Sequence, residues 1–171
     1  MSIYNHVANK DDIIDGIVEL AVSEIELPGI SDHWKTAMRK RAVSAQEVLV
    51  RHPWATLVMV SRPNAGPAML RYVNATFASL RGAGFSWEET DRIWNAMDSH
   101  IYGFTLQELN FPFDAPDYPD TAQGFLDSTD VSEFPFFNEL ARQVMKGRHS
   151  GVQDFTFGLE LLLDGLEKHM K

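Results

Sequence analysis

A chain of 171 residues with 44% hydrophobic content and four tryptophans is long enough to bury one sizeable core. It has no cysteine, which excludes a disulfide framework and a thiolate metal site, and no apolar run approaches the roughly 20 residues that span a bilayer. The formal net charge of -9 repels a phosphate backbone, so this stretch as it stands is a poor DNA binder.

In chain order, Asn9 is placed to cap a first helix. Asp11 and Asp12 lie in the first turn, where carboxylates complement the helix dipole, and Ile14, Ile17, Val18, Ala21 and Ile25 form an apolar stripe up to Pro28-Gly29. Ser31 or Asp32 is the expected cap of a second helix, whose Trp34, Ala37, Met38, Ala42, Ala45, Val48 and Leu49 repeat at helical spacing until His52-Pro53. Arg41 interrupts that stripe. A short apolar segment from Trp54 to Val60 precedes a bend at Arg62-Pro63-Asn64-Ala65-Gly66-Pro67. Met69, Tyr72, Val73, Thr76, Phe77 and Leu80 line the next helix, which Gly82 and Gly84 stop.

Ser86 and Glu89 make a capping box for a long helix carrying Ile93, Trp94, Met97, Ile101, Phe104 and Leu109. From Phe111 to Val131 three prolines stand among aspartates, glycine and serine, which predicts a long loop without secondary structure. A short helix around Glu133 to Met145 and a final one from about Val152 to His169 complete the chain. No strand-like alternation of useful length occurs, so the fold is expected to be all-α.

The polar residues argue for recognition rather than reaction. The six histidines are scattered with no metal-binding spacing, and no nucleophile elbow, phosphate loop or dinucleotide fingerprint occurs, so neither metal, cofactor nor catalytic residues are expected. Asp98 and His100 point about 200° apart around their helix and form no pair. Arg41 intrudes on the Trp34, Met38, Ala45 row, while Asp98 falls on the Trp94, Tyr102 row. A few polar groups in an apolar lining are the makeup of a small-molecule pocket; a solvent-facing edge or an internal ion pair would explain the same residues. Ile93 to Ala141 contains acids but no Lys or Arg, which reads as a solvated loop with helix caps or, more sharply, as a bias towards cationic ligands.

Several landmarks occur in a recognisable order: Tyr4-Asn5-His6-Val7-Ala8-Asn9-Lys10 leading into Asp11-Asp12-Ile13-Ile14, then Arg51-His52-Pro53-Trp54, Ser61-Arg62-Pro63, Gly82-Ala83-Gly84-Phe85-Ser86 and the run from Phe157 to Leu166. Together they resemble the tetracycline-repressor-like (TetR family) regulators. The first resembles the junction where the DNA-reading helix ends, so 1–9 are expected to be the remnant of a recognition helix and turn, and 10–171 a ligand-binding and dimerisation domain. The resemblance implies a cytoplasmic, ligand-responsive transcriptional repressor, not an enzyme and without a membrane partner. In it a small molecule releases DNA, and DNA is a partner only of the full-length protein, through Tyr4, His6 and Lys10. A naturally headless protein acting through heterodimers, and an α-helical enzyme, are the alternatives.

The resemblance further implies a homodimer, in which the helices around Ile101 and Leu162 pack against their copies as a four-helix bundle. The expected seam is Ile101, Thr105, Phe155, Gly158, Leu159, Leu162, Gly165 and Leu166, with a glycine face packed inside the monomer as the alternative. Founding members hold a drug-bound metal with a histidine just before Arg-Pro, where this chain has Val58 and Met59. Tetracycline with magnesium therefore does not fit. The expected pocket is Met38, Arg41, Met59, Phe77, Trp94, Asp98 and Tyr102, around an effector of unknown identity with a possible cationic group.

Overall fold

The computed structural model describes residues 9–29, 32–112, 117–128, 130, 132–148 and 154–169. Regular structure among the described residues is helical: α1 (Lys10–Ser23), α2 (Trp34–Arg51), α3 (Pro53–Ser61), α4 (Pro67–Gly82), α5 (Trp87–Leu109), α6 (Tyr118–Ser128), α7 (Pro135–Met145) and α8 (Phe155–His169). They form two units, α1 to α5 with α8, and α6 with α7.

Local chemistry sets most helix starts in the first unit. The Asn9 side chain accepts the Asp12 N–H at 3.0 Å, satisfying a donor that the first turn would leave unpaired. In α5 the capping box closes in both directions: Glu89 N–H donates to Ser86 Oγ at 3.2 Å, and Ser86 N–H to Glu89 Oε2 at 2.7 Å. Pro53 and Pro67 open α3 and α4, where a missing N–H costs nothing. Gly84, at φ 101°, ends α4 in the left-handed region that a side chain disfavours. The cap of α2 differs from expectation. His33 occupies the capping position without a side-chain bond, Asp32 instead accepts from Lys40 Nζ at 3.1 Å, and Ser31 lies outside the described residues.

Helix α5 packs against α2, α3, α4 and α8 and so runs through the middle of this unit. Its Ile93, Met97 and Ile101 share a core with Met38 and Leu49 of α2, Tyr72 and Leu80 of α4, and Leu159 and Leu163 of α8. Polar ties then align the outer helices. Lys35 reaches Asp164 and Glu167 of α8 at 2.6 and 2.8 Å, and Arg39 engages both carboxylate oxygens of Glu160. Between α1 and α4, the Glu19 carboxylate accepts the N–H groups of Ala68 and Met69 at 2.6 and 3.3 Å and serves as the cap that α4 lacks locally. Gly66 makes this possible, since a Cβ there would lie 2.2 Å from the Glu19 carboxyl carbon.

The second unit overturns the expected loop. Tyr118, Ala122 and Leu126 recur every four residues, and this row packs against Ala141 and Val144 of α7, burying Ala122. Pro119 falls in the first turn of α6, where proline is tolerated, so a residue that seemed to exclude a helix helps to begin one.

Candidate functional site

At the heart of the first unit a charged side chain stands where the α2 stripe calls for an apolar one. Arg41 is wholly buried, and its Nη2 donates to Oδ1 of Asp98 on α5. Two rings flank the guanidinium, its central carbon lying 4.6 Å from the centroid of Tyr72 on α4 and 4.4 Å from that of Trp94 on α5. Desolvated cation–ring contacts of this kind are worth about 2 kcal/mol. Phe77 meets Trp94 edge-on at 5.7 Å, extending the aromatic wall along α4. Arg41 Nε and Nη1 are buried with no hydrogen-bond acceptor, as are the Thr56 and Thr90 hydroxyls with no partner.

The electrostatics follow from burial and pairing together. Burial opposes charge on Arg41, but Tyr72 and Asp98 more than offset it and hold the guanidinium above its ordinary pKa. Burial pushes the Asp98 carboxyl upward against the pull of Arg41. Burial likewise pushes up the phenols of Tyr72 and Tyr102, so both are neutral hydroxyls near neutral pH. The cluster therefore combines one matched charge pair, two phenols and an indole.

The structure brings Arg41, Trp94, Asp98 and Tyr102 together, with Phe77 against Trp94. Met38 lies one turn before Arg41, wholly buried in the same core, and Met59 of α3 is 8% exposed and belongs to that core as well. Of the explanations open for Arg41 and Asp98, the internal ion pair is the one observed. Asp98 is thus already matched in charge, which removes the main reason to expect a cationic ligand. Sequence reading missed Tyr72, whose only sign was a hydroxyl-bearing ring within the apolar row of α4.

The residues expected at a dimer seam divide into two groups. Ile101, Thr105 and Leu159 have no exposed surface, and Phe155 is 8% exposed. Thr105 Oγ donates to the Ile101 carbonyl at 2.7 Å, and Phe155 stacks on His100 with ring centroids 4.8 Å apart. Gly158 faces the same imidazole, so closely that a Cβ would sit 2.6 Å from His100 Cε1. Phe155 and Gly158 thus pack against His100 of α5, and Ile101, Thr105 and Leu159 are buried within the single chain. Leu162, Gly165 and Leu166 remain partly exposed, and beside them Phe157 and Leu161 are 66% and 61% exposed. Lys10 is exposed at the start of α1; Tyr4 and His6 lie outside the described residues.

An all-helical unit with a buried ion pair ringed by aromatics defines the general class, an all-α domain with a polar cluster in its core. The chain belongs to the family described as tetracyclin repressor-like, C-terminal domain, whose model matches residues 27–170. It is 31% identical over 108 residues to an HTH-type transcriptional regulator of Saccharopolyspora erythraea, covering 63% of this chain and 46% of that protein. Over 182 residues it is 24% identical to the HTH-type transcriptional repressor DrrR1 of Streptomyces coeruleorubidus, covering 98% of this chain and 64% of the relative. The chain thus spans about half to two thirds of the length of these relatives. Its fold is similar to that of the TetR family protein ActR of Streptomyces coelicolor in complex with actinorhodin, with a TM-score of 0.76 and 22% identity over 98% of this chain and 80% of that one. It is also similar to a possible TetR family transcriptional regulator of Streptomyces coelicolor A3(2), with a TM-score of 0.71 and 23% identity over 97% and 82% of the two chains. No helix among the described residues is long and apolar enough to cross a membrane.

Proposed function

We propose that this chain is the effector-binding part of a ligand-responsive transcriptional repressor, in which a small organic molecule bound among α2, α3, α4 and α5 weakens the hold on DNA. The observation that carries this reading is the Arg41–Asp98 pair under Tyr72 and Trp94, with two guanidinium nitrogens unpaired. Removing two charges from water costs several kcal/mol per ion, and a pair left partly unsatisfied is a poor device for stability alone. Recognition accounts for it. Met38, Met59, Phe77 and Tyr102 supply the apolar and phenolic remainder of the proposed site. Support comes from the family membership and from ActR, which has been solved with actinorhodin and with (S)-DNPA.

The proposed output runs through α1. Glu19 ties this helix to the start of α4, and Arg62 holds Asp11 and Asp15, each at 3.1 Å. A ligand that displaces α4 therefore pulls on the helix leading back to Lys10. In the whole protein a helix-turn-helix head would carry the DNA contacts, with Tyr4, His6 and Lys10 on its border. The protein is proposed to act as a homodimer through the exposed side of α8, with Phe157, Leu161, Leu162, Gly165 and Leu166 in the seam. Ligand and DNA affinities are then reciprocally coupled.

A thermal-shift screen of small organic molecules tests this, since a ligand specific for the folded state adds about 2.7 kcal/mol at a hundredfold excess over its Kd. Hits should weaken operator binding by the intact protein and lose affinity on Trp94→Ala. Hits that bind without changing DNA affinity would refute the coupling, and hits indifferent to Trp94 would refute the site.

A further inference from the structure

The unpaired groups around Arg41 carry a sign. Asp98 accepts from Arg41 Nη2 and is hydrogen-bonded by Tyr102 as well, while Arg41 Nε and Nη1 are buried without an acceptor. The guanidinium itself thus has donors to spare and a deficit of acceptors. A cation brought here would meet an arginine whose charge Asp98 already shares, and it would leave both nitrogens as they are. A carboxylate or an ionised phenol would supply what they lack, in a charge-assisted bond roughly twice as strong as a neutral one. The rings at 4.6 and 4.4 Å hold the guanidinium plane in place, so little conformational freedom is lost when it binds an acceptor. Of the residues around it, Trp94 and Tyr102 are only half-buried, and the Asp98 side chain keeps 11% of its surface.

We propose that the effector is an organic acid with an apolar body, whose anionic group binds the free edge of Arg41 beside Asp98. This inference rests on the proposed pocket and deepens it by naming the ligand class. Asp98 becomes a specificity residue: it neutralises Arg41 before the ligand arrives and competes with the ligand's own anion afterwards. Weakening that competitor strengthens binding of the acid, the opposite of what a cation-binding role for Asp98 requires.

The test is calorimetric titration of the chain with naphthoic acid, naphthamide and naphthylmethylamine, all substituted at the same ring position. These share one apolar body and differ in charge. The acid is expected to bind about tenfold more tightly than the amide, with the amine weakest. Asp98→Asn should tighten the acid several-fold and leave the amide nearly unchanged. Arg41→Lys, which keeps the charge but loses the planar array of donors, should bring the acid down to the level of the amide. Circular dichroism checks the fold of each variant. If either is unfolded, the double variant Arg41→Met with Asp98→Asn, which strands no charge, should bind acid and amide equally. Equal affinity of wild-type protein for acid and amide, tighter binding of the amine, or weaker binding of the acid by folded Asp98→Asn would overturn the proposal while leaving a pocket in place. If none of the three binds, the pocket reading falls with it.

Discussion

Arg41 and Asp98 depend on each other because each is the other's main compensation for leaving water. Asp98→Ala should destabilise the chain by about 3–5 kcal/mol, since it strands a wholly buried guanidinium. The double variant Arg41→Met with Asp98→Leu should recover most of that loss, because a well-packed apolar pair replaces a buried ionic one at little cost. Urea denaturation of the two singles and the double checks this; additive losses would mean that the residues do not act as a pair. Gly158 poses a steric problem of similar scale. Gly158→Ala places a methyl group 2.6 Å from His100 Cε1 and should cost about 1–3 kcal/mol by overpacking. His100→Ala in the same chain should relieve most of that strain, measured by the same denaturation series.

Between elements, alignment depends on ties that are polar and partly exposed. Hydrogen bonding to Arg39 lowers the pKa of Glu160, and Lys35 does the same to Asp164. A carboxylate whose folded pKa is depressed contributes stability that is present above its unfolded value and lost as pH falls through the folded one. The α2–α8 ties should therefore weaken as pH drops from the ordinary carboxylate range, about pH 4, to below it. Glu160→Gln with Asp164→Asn should flatten the acid limb of stability against pH; an unchanged limb would show that other carboxylates set it. At the α1–α4 joint, Gly66→Ala should push the Glu19 carboxylate off Ala68 and Met69, at about 1 kcal/mol for the lost cap. Glu19→Ala should cost as much, and the two together little more, since both remove one interaction. A double-mutant cycle by denaturant melts decides.

For the whole molecule, the exposed and buried sides of α8 should separate association from folding. Phe157 and Leu161 are exposed in the single chain, whereas Leu159 has no exposed surface. Leu161→Glu should convert a dimer to a folded monomer in sedimentation. Leu159→Glu should unfold the chain instead, because it puts an unpaired charge into the core. Persistence of the dimer in the Leu161 variant would move the seam elsewhere.

Much of this was legible in the residues alone, for a physical reason common to all of it: caps and stripes are local. Asn9 meets a backbone N–H three residues on, and Ser86 and Glu89 satisfy each other across one turn. Arg41 and Asp98 also stood out by breaking apolar rows. What those residues do was decided by packing between distant parts of the chain. Residues 57 apart in sequence meet as Arg41 and Asp98, and Tyr72 joins them from a third helix. Helix α6 was hidden because only Tyr118, Ala122 and Leu126 mark its inner face, a pattern that gains meaning once Ala141 and Val144 lie against it. In α8 the row Phe155, Leu159 and Leu163 turns towards the chain's own core, and Phe157 and Leu161 turn away. Periodicity establishes that such a helix has an apolar face; the choice between its own core and a second molecule belongs to the tertiary structure, because only there are the neighbours present that bury one face and leave another in water.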